Sequence, residues 1–120
     1  MKSIESSSVS LRSGAIFKHG FVHVVYFWLK SGLAVEEVAR FESALKLMVE
    51  ESEFAVTGHV GKPAGTDREV VDNSYDYCLI VTFEDAAGHQ AYQGEAPHDR
   101  FRLVAEELAE RVQIYDSMGS

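Results

Sequence analysis

Residues 20–30 read GFVHVVYFWLK, and this stretch decides the fold. In an extended chain, successive side chains point to opposite faces. One face therefore receives Phe21, His23, Val25, Phe27 and Leu29, and the other receives Val22, Val24, Tyr26 and Trp28. Both faces are apolar, so we predict a β-strand that is buried on both sides.

The segments that follow predict the order strand, helix, strand, strand, helix, strand. Apolar residues at helical spacing from Val35 predict a helix of about four turns. Residues 54–62 alternate weakly and contain two glycines, which predicts an edge strand or a strand with a bulge, and residues 75–83 predict a third strand. A second helix starts near Glu84, is interrupted at Gly94 and Pro97, and is followed by a last short strand over residues 112–116.

This order predicts an α+β fold, the ferredoxin-like βαββαβ sandwich with an antiparallel four-stranded sheet and both helices on one face. The second face also needs a cover, because the strands are apolar on both sides. An identical sheet is the economical cover, so we predict a homodimer that forms a dimeric α/β barrel. We divide the chain into a flexible N-terminal arm (1–18), one domain (19–117) and a C-terminal tail (118–120).

Charge and hydropathy restrict the classes of partner. Eleven Lys and Arg against nineteen Asp and Glu give a formal net charge of −8, which repels nucleic-acid phosphates and anionic membranes. No segment approaches the ~20 apolar residues of a membrane span, and the first eighteen residues lack the apolar core of a signal peptide. The single cysteine, Cys78, cannot form an internal disulfide. We therefore predict a soluble, cytoplasmic protein that binds neither nucleic acid nor membranes.

Tyr92 and His98 are the first candidates for chemistry. Both lie in residues 91–101, AYQGEAPHDRF, around the proline where the second helix resumes, and both side chains can move protons. His23 in the first strand reaches the same cavity if strand and helix pack together. The competing interpretation is structural, with all three as satisfied packing or capping residues.

Two further features, a metal site and a loop that closes over a pocket as a lid, have weaker support in the sequence. His23, His59, Glu95 and His98 would have to converge in the tertiary structure, because no two histidines have the short spacing of metal ligands. We therefore predict no metal. Residues 62–74 contain proline, glycine and asparagine and predict a long loop, a lid or binding segment if it is ordered.

Four blocks resemble the stress-responsive dimeric α/β barrel (Dabb) family. They are HVVYFWLK (23–30), YDYCLIVTFED (75–85), AYQGEAPHDRF (91–101) and QIYD (113–116). The resemblance covers residues 19–116 and implies the same ferredoxin-like dimer. Most bacterial members of that family have no assigned reaction, whereas a plant member is a cofactor-independent polyketide cyclase that uses a Tyr and His pair as acid and base.

The resemblance implies site residues one by one. Tyr92 and His98 match the acid and the base, His23 matches a pocket histidine, and Asp116 matches the acidic residue that orients the base. In that interpretation His98 removes a proton next to a carbonyl while Tyr92 donates to the oxygen that becomes negative. The implied ligand-binding side chains are His23, Val25, Phe27, Tyr77 and Leu79.

Two departures from the family pattern argue against a polyketide substrate. Glu95 replaces the first histidine of the family's His-Pro-x-His motif, with the proline displaced to Pro97, and Tyr77 replaces a pocket histidine of the third strand.

The sequence predicts a stress-responsive Dabb-like homodimer with an apolar small-molecule pocket, no cofactor and an unassigned activity. One alternative is a cofactor-independent cyclase or lyase that uses the Tyr92 and His98 pair. A second is a monooxygenase of a related dimeric barrel family, to which Trp28 and His98 would contribute. Alternation turns Trp28 away from His23 and, we expect, toward the helix layer as a core residue. A structural or binding dimer without turnover also fits, because fold alone does not choose a function.

Overall fold

The computed structural model describes Phe17 and residues 20–120. In this part of the chain the elements run β1 (Phe21–Leu29), α1 (Val35–Glu50), β2 (Thr57–Gly61), β3 (Tyr77–Phe83), α2 (Ala86–Gln93), α3 (Ala96–Leu108) and β4 (Ala109–Met118). The predicted order is confirmed, with the second helix divided into α2 and α3. The arm predicted for residues 1–18 lies outside the described residues apart from Phe17.

The four strands form one antiparallel sheet in the order β2-β3-β1-β4, so the ferredoxin-like fold is confirmed. β2 is an edge strand, as predicted, and its pairing with β3 is regular from Thr57 to Gly61. β4 is longer than predicted because α3 passes into it without a loop. The strand ends at Met118, so the fold extends one residue beyond the predicted boundary at 117.

The two faces of β1 are buried to different extents. Phe21, His23, Val25 and Phe27 are at most 9% exposed and face the helices. Trp28 lies on the opposite, open face of the sheet, which corrects the expected direction of this side chain. Its indole N–H donates to Ser74 Oγ (3.2 Å), and its ring packs 4.1 Å from the Arg111 guanidinium. These polar contacts at the protein surface explain why the indole need not enter the core.

The helices cover the other face with a continuous core. In α1, Phe41, Leu45 and Met48 form the predicted apolar stripe and are at most 3% exposed. The Asp85 carboxylate accepts the backbone N–H of Gly88 (2.9 Å) and caps the start of α2. No helix among the described residues is long and apolar enough to cross a bilayer.

The break between α2 and α3 positions the candidate site. Pro97 lies in the first turn of α3, where its missing N–H is tolerated. The chain turns at Gly94, so Tyr92 at the end of α2 and His98 at the start of α3 come into ring contact, with centroids 5.2 Å apart.

Candidate functional site

The site centres on a hydrogen bond between β1 and β4. His23 Nδ1 lies 2.5 Å from Asp116 Oδ1, and the two residues are direct partners in the antiparallel register. The His23 side chain is 5% exposed and that of Asp116 is 37% exposed. The pair is therefore a buried imidazole held by a carboxylate that reaches the surface, a geometry that fixes the ring orientation.

Two more aromatic side chains, those of His89 and Tyr92, contact the His23 ring, and a third, that of His98, contacts Tyr92. The His23 ring centroid lies 4.7 Å from that of His89 and 6.2 Å from that of Tyr92, both on α2. Tyr92 in turn contacts His98 on α3. The structure thus brings the predicted residues His23, Tyr92, His98 and Asp116 into one cluster on the helix side of the sheet.

His89 also belongs to the cluster, although it was not among the residues predicted from the sequence. This residue lies three positions before Tyr92, so both side chains occupy the same face of α2, and this spacing was the available signal. Its ring stacks on Phe21 with the centroids 4.3 Å apart. Its Nε2 atom is buried and has no hydrogen-bond partner among the described residues.

The family resemblance implied that Asp116 orients His98, but in the structure Asp116 contacts a different histidine, His23. Within the described part of the chain its carboxylate bonds to His23, and no hydrogen bond joins it to His98. The physical reason is the sheet register, which places Asp116 directly opposite His23 with both side chains on the helix face. The Nδ1 atom of His98 is buried and lacks a partner among the same residues.

Burial makes neutral imidazoles of the two flanking histidines. It lowers the pKa of His89, and the nearby His23 ring lowers that pKa further, against the opposing effect of Asp116. Burial is also the main cause that lowers the pKa of His98, partly offset by Asp99. Near neutral pH each ring therefore keeps one nitrogen lone pair available to accept a proton or a hydrogen bond.

Tyr92 keeps its hydroxyl proton in this environment and can donate it in a hydrogen bond. The residue is 0% exposed, and burial raises the pKa of its phenol well above the usual value. Its hydroxyl donates to Met48 Sδ at 3.4 Å, a weak acceptor inside the core. A substrate oxygen would have to displace this sulfur contact before it could accept a hydrogen bond from Tyr92.

The residues predicted to line a ligand pocket lie in the core. Val25, Phe27 and Leu79 are at most 4% exposed, so their ligand-binding role stays a prediction that requires the core to open. Tyr77 is 3% exposed, and its hydroxyl donates to Glu42 Oε1 (2.8 Å).

Tyr77 also borders a cavity of about 590 Å³ at the far end of β1, together with Leu33, Lys62 and Pro63. That end of β1 lies six residues from His23, or roughly 20 Å along the strand. The cavity is therefore separate from the histidine cluster. Lys62 and Pro63, the first residues of the predicted loop, line it, whereas the predicted lid function of residues 62–74 stays a prediction.

Glu95, which occupies the position of a family histidine, has a structural role. Its carboxylate accepts the Ser52 hydroxyl (2.7 Å) and the backbone N–H of Glu53 (2.9 Å). These bonds tie the turn before α3 to the end of α1. The Glu95 side chain therefore braces the helix layer.

The sheet order and the helices packed on one face place the chain among the ferredoxin-like α+β proteins. The sequence model of the Dabb family, the stress responsive A/B barrel domain, matches residues 21–118, and the chain belongs to this family. The family that the sequence blocks resemble is thereby confirmed. No curated protein matches the sequence.

Solved structures share the fold at low sequence identity. A Dabb family protein with a ferredoxin-like fold from Mesorhizobium loti is 20% identical, with 84% of this chain and 97% of that chain covered and a TM-score of 0.69. A dimeric ferredoxin-like protein of unknown function from Thermobifida fusca is 15% identical (84% and 92% covered, TM-score 0.69). The hydroxynitrile lyase from Passiflora edulis is 14% identical (85% and 94% covered, TM-score 0.74).

Proposed function

We propose that this Dabb protein is a homodimer in which the His23–Asp116 pair transfers a proton to or from a small, largely apolar molecule held beside Tyr92 and His98. The observation that carries the proposal is the 2.5 Å hydrogen bond between a buried imidazole and a carboxylate, next to two half-buried imidazoles that each have one buried nitrogen. Buried nitrogen atoms normally have hydrogen-bond partners, so the atoms of His89 and His98 that lack one among the described residues support a binding site at this cluster.

The geometry assigns a role to each group. An ionised carboxylate only accepts hydrogen bonds, so His23 Nδ1 carries the proton and Nε2 carries the lone pair. His23 Nε2 accepts the substrate proton, and Asp116 stabilises the imidazolium that forms. The electron pair left behind moves onto a substrate oxygen. Tyr92 and the neutral His98 can each present a hydrogen to that oxygen.

This assignment changes the base that the family resemblance implied, from His98 to His23. The reason is that Asp116 contacts His23 in the structure. His98 keeps a role as a neutral hydrogen-bonding group whose Nδ1 atom is buried and unpartnered among the described residues. Burial raises the pKa of the Tyr92 phenol, so Tyr92 stays protonated and serves the proposed site as a hydrogen-bond donor.

Lyase-type proton transfer is the activity to test first. The hydroxynitrile lyase from Passiflora edulis has the same fold as this chain, and that activity belongs to that protein. At 14% identity the likeness concerns the fold alone, and the support it lends is that one protein of this fold is a hydroxynitrile lyase.

The dimer would form through the open face of the sheet. That face carries the half-buried Tyr26 and Trp28, and Tyr115 beside them is 62% exposed, so an apolar surface remains for a second copy to cover. A neighbour of the same fold is described as dimeric. We expect Tyr115→Glu to give a monomer by light scattering, and Leu103→Glu, at an equally exposed position on α3, to leave the dimer intact. A dimeric Tyr115→Glu variant would contradict this interface.

The monooxygenase alternative required Trp28 and His98 to contribute to one site, and within one protomer they do not. Trp28 lies on the open face of the sheet, whereas His98 lies on the helix side, so the two residues do not share a site there. A binding protein without turnover remains the second candidate, because Tyr92 is packed into the core and the cluster could hold a ligand without reacting.

Proton exchange tests the proposal directly. Acetophenone is incubated with protein in D₂O, and deuterium entry at its methyl group is followed by NMR; cleavage of mandelonitrile is followed in parallel. We expect wild-type acceleration that His23→Gln and Asp116→Asn each reduce by on the order of 10²-fold. His59→Gln, at an exposed residue on the open face, should match the wild type.

Equal rates for the wild type and His23→Gln would refute proton transfer at this pair. Ligand-induced shifts of the histidine ring signals that need His23 but bring no turnover would instead favour the binding protein. Native mass spectrometry of gently purified protein would show any retained ligand and the dimer mass in the same experiment.

A further inference from the structure

We propose that His23, His89 and Asp116 form a binding site for one divalent transition-metal ion of the zinc type. One nitrogen or oxygen ligand atom from each residue lies within 4.8 Å of the other two. The three residues come from β1, α2 and β4, so the tertiary structure creates the convergence that no sequence spacing indicated. This set differs from the histidines and glutamate weighed from the sequence, with which it shares only His23.

The ligand types select the class of ion. Two imidazoles and one carboxylate suit Zn²⁺, Co²⁺, Ni²⁺ or Fe²⁺, whereas Mg²⁺ and Ca²⁺ prefer sites made of oxygen atoms. Three protein ligands leave a coordination position open for water or a small molecule. The exposed side of Asp116 gives that position a route to solvent.

Small side-chain rotations would complete the site. Ligand atoms on a tetrahedral ion with bonds of about 2.0–2.1 Å lie roughly 3.3 Å apart. The 2.5 Å separation of His23 Nδ1 and Asp116 Oδ1 therefore widens, or His23 turns its other nitrogen to the ion, while His89 moves closer. Asp116 can rotate because it lies on the edge strand β4 with 37% of its side chain exposed.

His89 supplies an observation independent of the His23–Asp116 bond. Its Nε2 atom is buried and has no hydrogen-bond partner among the described residues, although its ring is only 4.7 Å from that of His23. A buried polar nitrogen normally finds a partner. A metal ion between the two rings would use this nitrogen, and stacking on Phe21 already holds the ring in place.

Metal binding and proton transfer would exclude each other at His23. The ion takes the Asp116 oxygen and a His23 nitrogen, and either loss disables the pair proposed above. The metal site does not depend on that proposed function, because the ligand set exists whether or not His23 moves a proton. Binding readouts therefore separate the failure of one proposal from the failure of the other.

The test uses untagged full-length protein that has been stripped with a chelator and then desalted. Co²⁺ is titrated while the visible absorption of the bound ion is recorded, and Zn²⁺ is added to displace it. We expect one ion per chain and a higher melting temperature with Zn²⁺, because an ion that binds only the folded state stabilises it. Mg²⁺ at the same concentration should change neither signal.

Variants locate the ion. His89→Gln and Asp116→Asn should each weaken Co²⁺ binding at least about 10-fold, because loss of even an outer-shell partner of a metal ligand typically costs that much. His59→Gln removes an exposed histidine on the other face of the sheet and should bind like the wild type. If His89→Gln fails to fold, Asp116→Asn still tests whether the ion binds at this site, because Asp116 lies at the surface.

Two results would overturn the proposal. One is an absence of one-to-one Co²⁺ binding to the stripped wild type. The other is an adventitious ion only, shown by binding that His59→Gln abolishes and Asp116→Asn leaves unchanged.

Discussion

Asp116→Leu is the most informative single perturbation of the structure. It removes the acceptor that the His23 Nδ1–H uses and leaves a side chain of similar size on the edge strand. His23 is 4% exposed, so water cannot fully replace the lost carboxylate. We therefore expect the variant to fold but to carry an uncompensated buried N–H.

The magnitude follows from that burial. A buried donor without a partner costs about 1–3 kcal/mol in the free energy of unfolding. For a domain of this size, each 1 kcal/mol lowers the melting temperature by about 4–8 °C. Asp116→Asn keeps an oxygen acceptor and should lose no more than about half as much, since only the charge assistance disappears.

Thermal unfolding followed by circular dichroism measures these shifts. All variants are compared at one protein concentration, because dissociation of a dimer makes the melting temperature depend on concentration. Asp67→Leu, in the exposed loop between β2 and β3, is the control for a surface aspartate and should melt like the wild type. If Asp116→Leu also melts within 1 °C of the wild type, roughly the resolution of the assay, the inferred role of the bond between His23 and Asp116 is wrong.

Three further predictions test the protonation and packing around the site. Burial lowers the folded-state pKa values of His89 and His98, so below pH ~6.5 the unfolded chain binds more protons than the folded one. Urea titrations should therefore show the free energy of unfolding falling as the pH drops from there, and His98→Gln should reduce this dependence on pH. An unchanged dependence in His98→Gln would contradict the lowered pKa of His98. Gly58→Ala should lower the free energy of unfolding in urea by about 1–3 kcal/mol, because the added Cβ would lie 2.3 Å from Val49 Cγ1. In a Val49→Ala background the same substitution should have almost no effect, and equal costs in both backgrounds would refute the clash. Phe41→Ala, at a 0% exposed position, should cost about 3–5 kcal/mol by the same assay, and a cost below about 1 kcal/mol would show that the core is not packed as described.

The elements of the fold are local features and could be predicted. The alternation in residues 20–30 and the helical stripe of Phe41, Leu45 and Met48 are written in neighbouring residues, and both elements form as predicted. Pro97 also acts locally, because it cannot lie in a helix interior. The break it makes brings Tyr92 and His98 together within seven residues of chain.

The pairing at the site depends on distant parts of the chain. His23 and Asp116 are separated by 93 positions, and only the register of β1 against β4 makes them partners. A one-residue shift in that register would turn Asp116 to the other face. The family resemblance implied His98 as the partner of the Asp116 carboxylate, whereas the register pairs Asp116 with His23, because a motif does not contain the register.

The sequence alone determined that β1 has two apolar faces, but the tertiary structure decided which face the helices cover. Alternation is a property of the extended backbone and needs no other element, so it separated His23 from Trp28 correctly. The choice between the faces depends on which side α1, α2 and α3 pack against, and that packing turns His23 inward toward His89 and Tyr92. The histidine cluster exists only because helices and strands meet there, and no local pattern records that meeting.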